Sequence, residues 1–480
     1  MQSIRTLLLA FKSLEKPYYT TLFTVTSLRP FCTAHRKCYI NIPKDKQEQF
    51  VKLMEKRPIQ SYMRQVLDIL PASLDDVLCT IPAGSNPYIL YCLNARDFPL
   101  SLTKRFFRIM KLRNLDISRT YFIINMLDDI TDDLSIANIR RYESYYRQSL
   151  PAWSHNLQIN MDFKVDPSHI FVMTDKISAP IVDLYQHLSL ESCRCYIIGV
   201  GNTGKSTLAK RLMRMILRNV PTASTSSTMK NVDIKEHEGF PPSKVNYYCS
   251  ISPYPFSTRK NFEYEISALD STLIDTPGFL HHRKGIYGIL DKKCRLNLQQ
   301  QFRFDHKQRS ILLKPSIPSQ VFSVNDVFFL KPRGVSSFKY RRFLYGKLAL
   351  YNTYTDGYEH MISSGKFVKP MIRRYIIPPF EGKIDVIFEN IGFIELDNTT
   401  NLESADVWQL YAPKNIKKIV RIPSLSVSIL TGQEPIYIPL KEVPMLLNFK
   451  KFESDLSKYC ESSFKILEPY MEHTKIKQQH

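Results

Sequence analysis

The residues Gly199-Val200-Gly201-Asn202-Thr203-Gly204-Lys205-Ser206 fit the pattern G-x-x-x-x-G-K-[ST] at every fixed position. Glycines at that spacing let backbone amides approach phosphate oxygens with no side chain in the way. A helix opening at the lysine adds the positive end of its dipole. Lys205 suits the β and γ phosphates of a nucleotide, Ser206 suits Mg²⁺, and Thr207 continues the same cradle.

Three further segments carry matching chemistry. Asp275-Thr276-Pro277-Gly278 follows an apolar run. A carboxylate at such a strand end can hold the Mg²⁺ shell, and Gly278 can offer its amide to a γ-phosphate. Asn125-Met126-Leu127-Asp128 follows another apolar run. The Asp128 carboxylate can accept from the two adjacent donors on the guanine edge, a pair that adenine lacks, and Met126 can cover the base face. Thr174-Asp175-Lys176, after a third run, is placed to close over the base.

These groups need elements to hold them. Five short apolar runs, Tyr88–Leu93, Thr120–Ile124, His169–Met173, Cys195–Ile198 and Thr272–Ile274, read as strands. Amphipathic stretches lie between several of them: Leu134–Tyr146, Ile181–Leu188 and Leu208–Leu217. Alternation of strand and helix predicts a parallel sheet with crossover helices, an α/β fold with its ligand at the carboxyl ends of the strands. Helical spacing also runs from Asp45 to Leu70, divided at Pro58. The polar interval Met229–Ala268 reads as an insertion with one strand at Val245–Ile251. From Arg373 onward, strand-like alternation at Tyr375–Ile377, Ile384–Phe388 and Ile391–Leu396 predicts a β-rich C-terminal domain.

The base-reading segments precede the phosphate loop, and the loop precedes the Asp-x-x-Gly element. With Asn94-Ala95-Arg96-Asp97-Phe98-Pro99 after the first strand, this order resembles the circularly permuted GTPases of the YqeH/YlqF type. Arg374-Tyr375-Ile376-Ile377-Pro378-Pro379-Phe380-Glu381-Gly382 and Asn390-Ile391-Gly392-Phe393-Ile394 are similar to the fungal mitochondrial "genetic interactor of prohibitins" branch.

The resemblance implies a P-loop GTPase that turns over GTP slowly, with Mg²⁺ and, as in potassium-activated members, K⁺ held by Asn202. It implies Lys205, Asp275, Gly278 and a switch threonine as the groups acting on the γ-phosphate. Thr225-Ser226-Ser227-Thr228 looks like a degraded form of the switch element, with Thr228 as the first choice for Mg²⁺ and Thr225 the second. Phe279 stands where ordinary small GTPases place a water-orienting Gln. The family's paired Cys-x-x-Cys zinc module has no counterpart: only Cys32 and Cys38 remain, without that spacing.

Composition bounds the rest. In 480 residues, 44% hydrophobic and 23% charged, the content is that of a packed protein and excludes wholesale disorder. No apolar run approaches the roughly 18 residues of a membrane-spanning helix. The nine cysteines read as reduced thiols. Residues 1–37 hold six Lys/Arg, one acid and nine Ser/Thr, the pattern of a mitochondrial transit peptide.

The net charge of +21 favours an anionic partner. Between His281 and Leu350 fifteen Lys/Arg face three Asp, with aromatics interleaved, which suits unpaired RNA. The expected organisation is a transit peptide at 1–37, a helical segment at 38–85, a permuted GTPase domain at 86–285 and a basic C-terminal domain at 286–480. The resemblance implies a matrix protein acting on mitochondrial ribosomal RNA or a small-subunit assembly intermediate, with peripheral association with the inner membrane. Two alternatives stand beside it: a non-catalytic nucleotide-binding scaffold tied to prohibitins and lipid metabolism, and a P-loop ATPase or kinase.

Overall fold

The computed structural model describes residues 72–157, 165–188, 190, 192–219, 258, 260–266, 269–280, 288–291, 311–313, 316–317, 319–324, 326–332, 338–343, 348–368, 370–377, 380, 382–398 and 408–443. The targeting segment 1–37, the helical stretch 45–70, the strand expected at 245–251, and Thr225 and Thr228 lie outside them. The chain divides into two units, Met1–Ile69 with Gly239–Tyr247, and the remainder; all described residues belong to the second.

A short strand β1 (Ala72–Ser73) leads into helix α1 (Leu74–Cys79). Ser73 caps that helix: its hydroxyl accepts from the Asp76 amide while Asp76 accepts from the Ser73 amide. The central sheet then assembles from β2 (Tyr88–Asn94), β3 (Thr120–Asn125), β4 (Ile170–Val172), β5 (Arg194–Gly199), β6 (Phe262–Ile266) and β7 (Ser271–Asp275). Their order is β4-β3-β2-β5-β7-β6. The first five neighbours are parallel, and β6 closes the edge antiparallel to β7. The five apolar runs are the five parallel strands.

Those strands read as continuous apolar runs because both sheet faces are buried. Ile89, Tyr91 and Leu93 share one core with Phe122, Ile124, Tyr196 and Ile198. Leu90 and Cys92 share the other with Tyr121, Ile123, Cys195 and Ile197. Helices α2 (Lys104–Leu112) and α3 (Ile136–Leu157) cover the first face. Helices α4 (Ala179–His187) and α5 (Lys205–Asn219) cover the second. In α5 the buried residues Leu208, Ala209, Leu212, Met213 and Ile216 form one stripe at helical spacing. Strand β8 (Phe279–Leu280) pairs with β1.

Two details depart from the sequence expectation. Helix α3 continues past Tyr146 and through Pro151 to Leu157. Buried Leu150, with Trp153 and Leu157 against the core, offsets the backbone bond that proline removes. Strand β6 lies inside the interval read as an insertion. Its Phe262, Tyr264 and Ile266 alternate with Glu263 and Glu265, the period of a half-buried edge strand.

The C-terminal half is two antiparallel sheets. One joins β13 (Leu348–Tyr351), β10 (Val321–Val324), β11 (Phe328–Lys331), β17 (Trp408–Pro413), β14 (Ile372–Ile377) and β20 (Lys441–Val443). The other joins β19 (Ile436–Pro439), β18 (Lys418–Ile422), β15 (Gly382–Phe388), β16 (Gly392–Asn398), β12 (Phe338–Phe343) and β9 (Ile311–Leu313). They enclose one core, with Phe328 against Phe388 at 4.2 Å between ring centroids. Helices α6 (Tyr354–Ser363) and α7 (Leu425–Thr431) complete the described elements. The basic stretch between His281 and Leu350 contains strands among its described residues. Val321, Phe322, Ser323 and Val324 are all buried, so the run has no polar face to reveal a period.

The second C-terminal sheet packs on the central domain. Ile387, Phe393, Ile419 and Leu425 join the core beneath α3. Tyr145 and Tyr437 hydroxyls meet at 3.2 Å, and Trp153 packs edge-on to Tyr437. A fully buried ion pair, Arg421 with Asp385 at 2.8 Å, sits in that sheet, and Asp385 also accepts from the Leu425 amide at 2.6 Å.

Candidate functional site

Strand β5 runs straight into the glycine-rich turn and α5 leaves it at Lys205, so the turn lies at the carboxyl edge of the sheet. The turn is held by its own polar groups. The Thr203 hydroxyl donates to the Val200 carbonyl at 2.9 Å, and the Lys205 ammonium donates to the same carbonyl at 2.9 Å. Burial lowers the Lys205 pKa, and the nearby Asp275 charge pulls it back up. Asn202 and Gly204 both adopt left-handed backbone, at φ 63° and 76°. A Cβ at Gly204 would stand 2.3 Å from the Asn125 side-chain nitrogen, so only glycine admits that neighbour.

Asp275 ends β7 and is fully buried. The Ser206 hydroxyl donates to its carboxylate at 2.6 Å. Thr276 anchors the following turn by donating to the Ile197 carbonyl at 2.9 Å. Gly278 lies so close to the glycine-rich turn that a Cβ there would fall 2.8 Å from the Gly201 Cα. The Gly201 amide donates to the Phe279 carbonyl at 3.1 Å, while the Phe279 side chain is buried in the core near Tyr91. That apolar ring carries no polar group with which to orient a water.

The segments from β3 and β4 meet the same turn. Asn125, at the end of β3, donates from its side-chain amide to the Thr203 carbonyl at 2.9 Å. Met126 takes a left-handed backbone, which turns the chain so that Asp128 follows in a short 3-10 helix. Asp128 accepts from the Thr174 hydroxyl at 3.2 Å and faces the Lys176 ammonium at 3.6 Å. The Thr174 hydroxyl also accepts from the Lys176 amide at 3.3 Å. Asp175 is exposed at the cavity rim; partial desolvation first, then the Asp128 charge, raises its pKa.

Between these groups lies a cavity of ≈ 270 Å³. Gly201, Asn202, Thr203, Gly204 and Thr207 line it together with Asn125, Met126, Asp128 and Asp175. The glycine-rich turn, the Asn125–Asp128 segment and Asp175 thus share this cavity, whereas Gly199, Lys205, Ser206, Thr174, Lys176, Asp275 and Gly278 stand outside its lining. Chemically, a row of amides and an ammonium suits phosphate, and a carboxylate beside an apolar thioether suits a purine edge and face.

Some lining residues were not legible as site residues. Arg96 ion-pairs with Asp129 at 3.0 Å and approaches the Met126 sulfur at 3.9 Å. Arg211 of α5 donates to the Thr174 and Ile177 carbonyls, fixing the loop after β4. Asn390 and Ile391 reach the cavity from the C-terminal sheet. Thr258, in the polar interval, stands 3.3 Å from the Ser206 hydroxyl. Its only advance signal was its position between the glycine-rich turn and Asp275.

For Mg²⁺, Ser206, Asp275 and Thr258 offer hard oxygen donors, the set that ion prefers when phosphates complete its shell. Among the described residues no cluster of three or more His, Cys, Asp or Glu could hold a metal by itself. Among them, too, no helix is long and apolar enough to cross a membrane.

Fold and site together define a mixed α/β protein with a strand–turn–helix phosphate cradle facing an Asn/Asp segment across one cavity. Residues 358–434 match the family model "Genetic interactor of prohibitins 3, C-terminal domain". Homologues carry the name "Genetic interactor of prohibitins 3, mitochondrial". The protein from Debaryomyces hansenii is 24% identical, over 74% of this chain and 62% of its own length. That from Candida albicans is 24% identical over 80% and 63%, and that from Saccharomyces cerevisiae 22% over 73% and 64%. The chain thus spans about three fifths of the length of the relatives it matches. These likenesses agree with the resemblance carried by the motifs. A solved structure, YjeQ from Thermotoga maritima, aligns at 16% identity over 40% of this chain and 48% of its own, with a TM-score of 0.21.

Proposed function

We propose that this chain is a circularly permuted P-loop GTPase of mitochondria, in which guanine nucleotide bridges the Asn125–Asp128 segment and the glycine-rich turn. One observation carries the reading. The Asn125 side chain donates to the Thr203 carbonyl at 2.9 Å, so the base-reading and phosphate-holding segments form one unit although 78 residues separate them. The nucleotide domain is taken as 86–285, followed by the basic C-terminal domain.

In this reading the amides of residues 201–206 and the Lys205 ammonium hold the β and γ phosphates of GTP. Lys205 leaves the Val200 carbonyl to do so. Ser206 and Asp275 hold Mg²⁺, with Thr258 beside them and Thr228 as the switch residue expected from sequence. The ion supplies charge to the phosphate oxygens. Gly278 brings its amide to the γ-phosphate, since nothing larger fits beside Gly201. Asn202, in its left-handed turn, is the K⁺ ligand. Asp128 accepts from the guanine edge, and Thr174, Asp175 and Lys176 hold the loop over it. Phe279 orients no water, so intrinsic turnover is slow and a partner raises it.

The partner is mitochondrial ribosomal RNA or a small-subunit assembly intermediate, reached in the matrix after removal of the segment 1–37. The basic charge supports an RNA partner, and the names of the relatives support the mitochondrial location. A second reading is a nucleotide-holding scaffold at the inner membrane linked to prohibitins; the buried Phe279 ring favours its being non-catalytic, and the names of the relatives favour the link.

The test is nucleotide competition on the purified protein, wild type against Asp128→Ala, with K⁺ or Na⁺, followed by GTP hydrolysis with small-subunit particles. GTP preference lost in Asp128→Ala, and hydrolysis raised by the particles, is the expected result. ATP preference indifferent to Asp128 would overturn the GTPase reading. Binding with no hydrolysis under any condition would leave the scaffold.

A further inference from the structure

The cavity has a wall that no nucleotide motif supplies. Between β15 and β16 the chain turns through Glu389, Asn390 and Ile391, and the last two line the cavity with the central-domain residues. Asn390 takes a left-handed backbone at φ 60°. Its amide donates to the Asp97 carboxylate at 2.7 Å. Asp97 is buried and adjoins Arg96, which is bound to Asp129 and lies beside Met126. The turn is therefore tied, through Asp97 and its neighbour Arg96, to the segment that carries Met126 and Asp128. Ile391 is itself buried in the C-terminal core, and Glu389 donates its amide to the Lys417 carbonyl at 3.0 Å, so the turn is fixed from behind as well.

We infer that the Asn390–Ile391 turn is a wall of the nucleobase subsite, with Asn390 a specificity-determining residue contributed by the C-terminal sheet. The inference rests on the nucleotide reading above and deepens it. A purine bound against Asp128 presents its remaining edge and sugar to the rest of the lining. An Asn amide, both donor and acceptor, suits such polar edges. The left-handed backbone gives a way to separate this role from a structural one. Glycine adopts φ near 60° more readily than asparagine, so Asn390→Gly removes the side chain while leaving the turn unstrained.

The experiment uses the full chain and two probes, GDP and inorganic tripolyphosphate, in Asn390→Gly and in Ile391→Val, with Lys205→Ala as the reference. The expected result for Asn390→Gly is GDP affinity weakened roughly five- to tenfold, the loss of about one hydrogen bond, at unchanged tripolyphosphate affinity and unchanged melting temperature. Ile391→Val should weaken GDP by less, in the same direction. GDP affinity within twofold of wild type in both variants, while Lys205→Ala loses it, overturns the inference and leaves the nucleotide reading intact. Equal loss for both probes also overturns it. A wild type that binds neither probe overturns both readings.

Discussion

The Thr258 hydroxyl stands 3.3 Å from the Ser206 hydroxyl, which itself donates to Asp275 at 2.6 Å. Three oxygen-bearing side chains from three distant segments thus converge where the glycine-rich turn enters its helix. Thr258→Ala should reduce Mg²⁺-dependent GTP hydrolysis by about tenfold or more while leaving GDP binding within a few-fold of wild type. Thr228→Ala is the matched control. Single-turnover assays of the two variants decide between the hydroxyl expected from sequence and the one found at Ser206. Loss in Thr228→Ala alone would return the role to Thr228.

Asp128 makes a second prediction. Guanine presents two neighbouring donors to a carboxylate, whereas xanthine presents a donor and an acceptor. An amide matches the latter pair. Asp128→Asn should weaken GTP by at least about tenfold and strengthen xanthosine triphosphate relative to wild type. Competition against a fluorescent guanine nucleotide reads both. Unchanged preference would mean that Asp128 does not face the base.

The junction between the central domain and the C-terminal sheet should respond to pH. Burial raises the Asp97 carboxyl pKa to about 6, against the lowering effects of the Asn390 amide and Arg96. Burial raises that of Glu389 to about 7, with Lys417 lowering it and Asp97 adding to the rise. Both groups bind their protons more tightly in the folded chain. Their contribution to stability is full below the usual carboxylate range and is lost as pH rises through 6 and 7. Buried Lys418, lowered to about 7, acts oppositely, adding stability as pH rises above that value. The double variant Asp97→Asn/Glu389→Gln should lose less melting temperature than wild type between pH 5 and pH 8. Parallel melting curves in the two proteins would refute the assignment.

Arg421 and Asp385 form a pair with no exposed surface on either side chain. Burial raises the Asp385 pKa even though the guanidinium works to lower it. Removing one partner strands the other in the core. Arg421→Met should destabilise by about 3–5 kcal/mol in urea unfolding, and Arg421→Met/Asp385→Leu by less. A double variant weaker than the single one would show that Asp385 is not stranded when Arg421 is removed.

The sequence alone determined what adjacent residues can do. The glycine-rich turn works through neighbouring amides and one lysine, so it is legible without a fold. The five parallel strands were legible because burial on both faces leaves unbroken apolar runs. Strand β6 carried an equally plain alternation at Phe262, Tyr264 and Ile266, hidden by the polar interval around it. Strand β10 was obscured because all four of its residues are buried, which leaves no alternation to read. Only the tertiary structure decided what completes the cavity. Asp97 and Asn390 are 293 residues apart and share one hydrogen bond. Such a contact depends on how two domains pack their cores together, and packing between distant segments leaves no spacing or period in the chain.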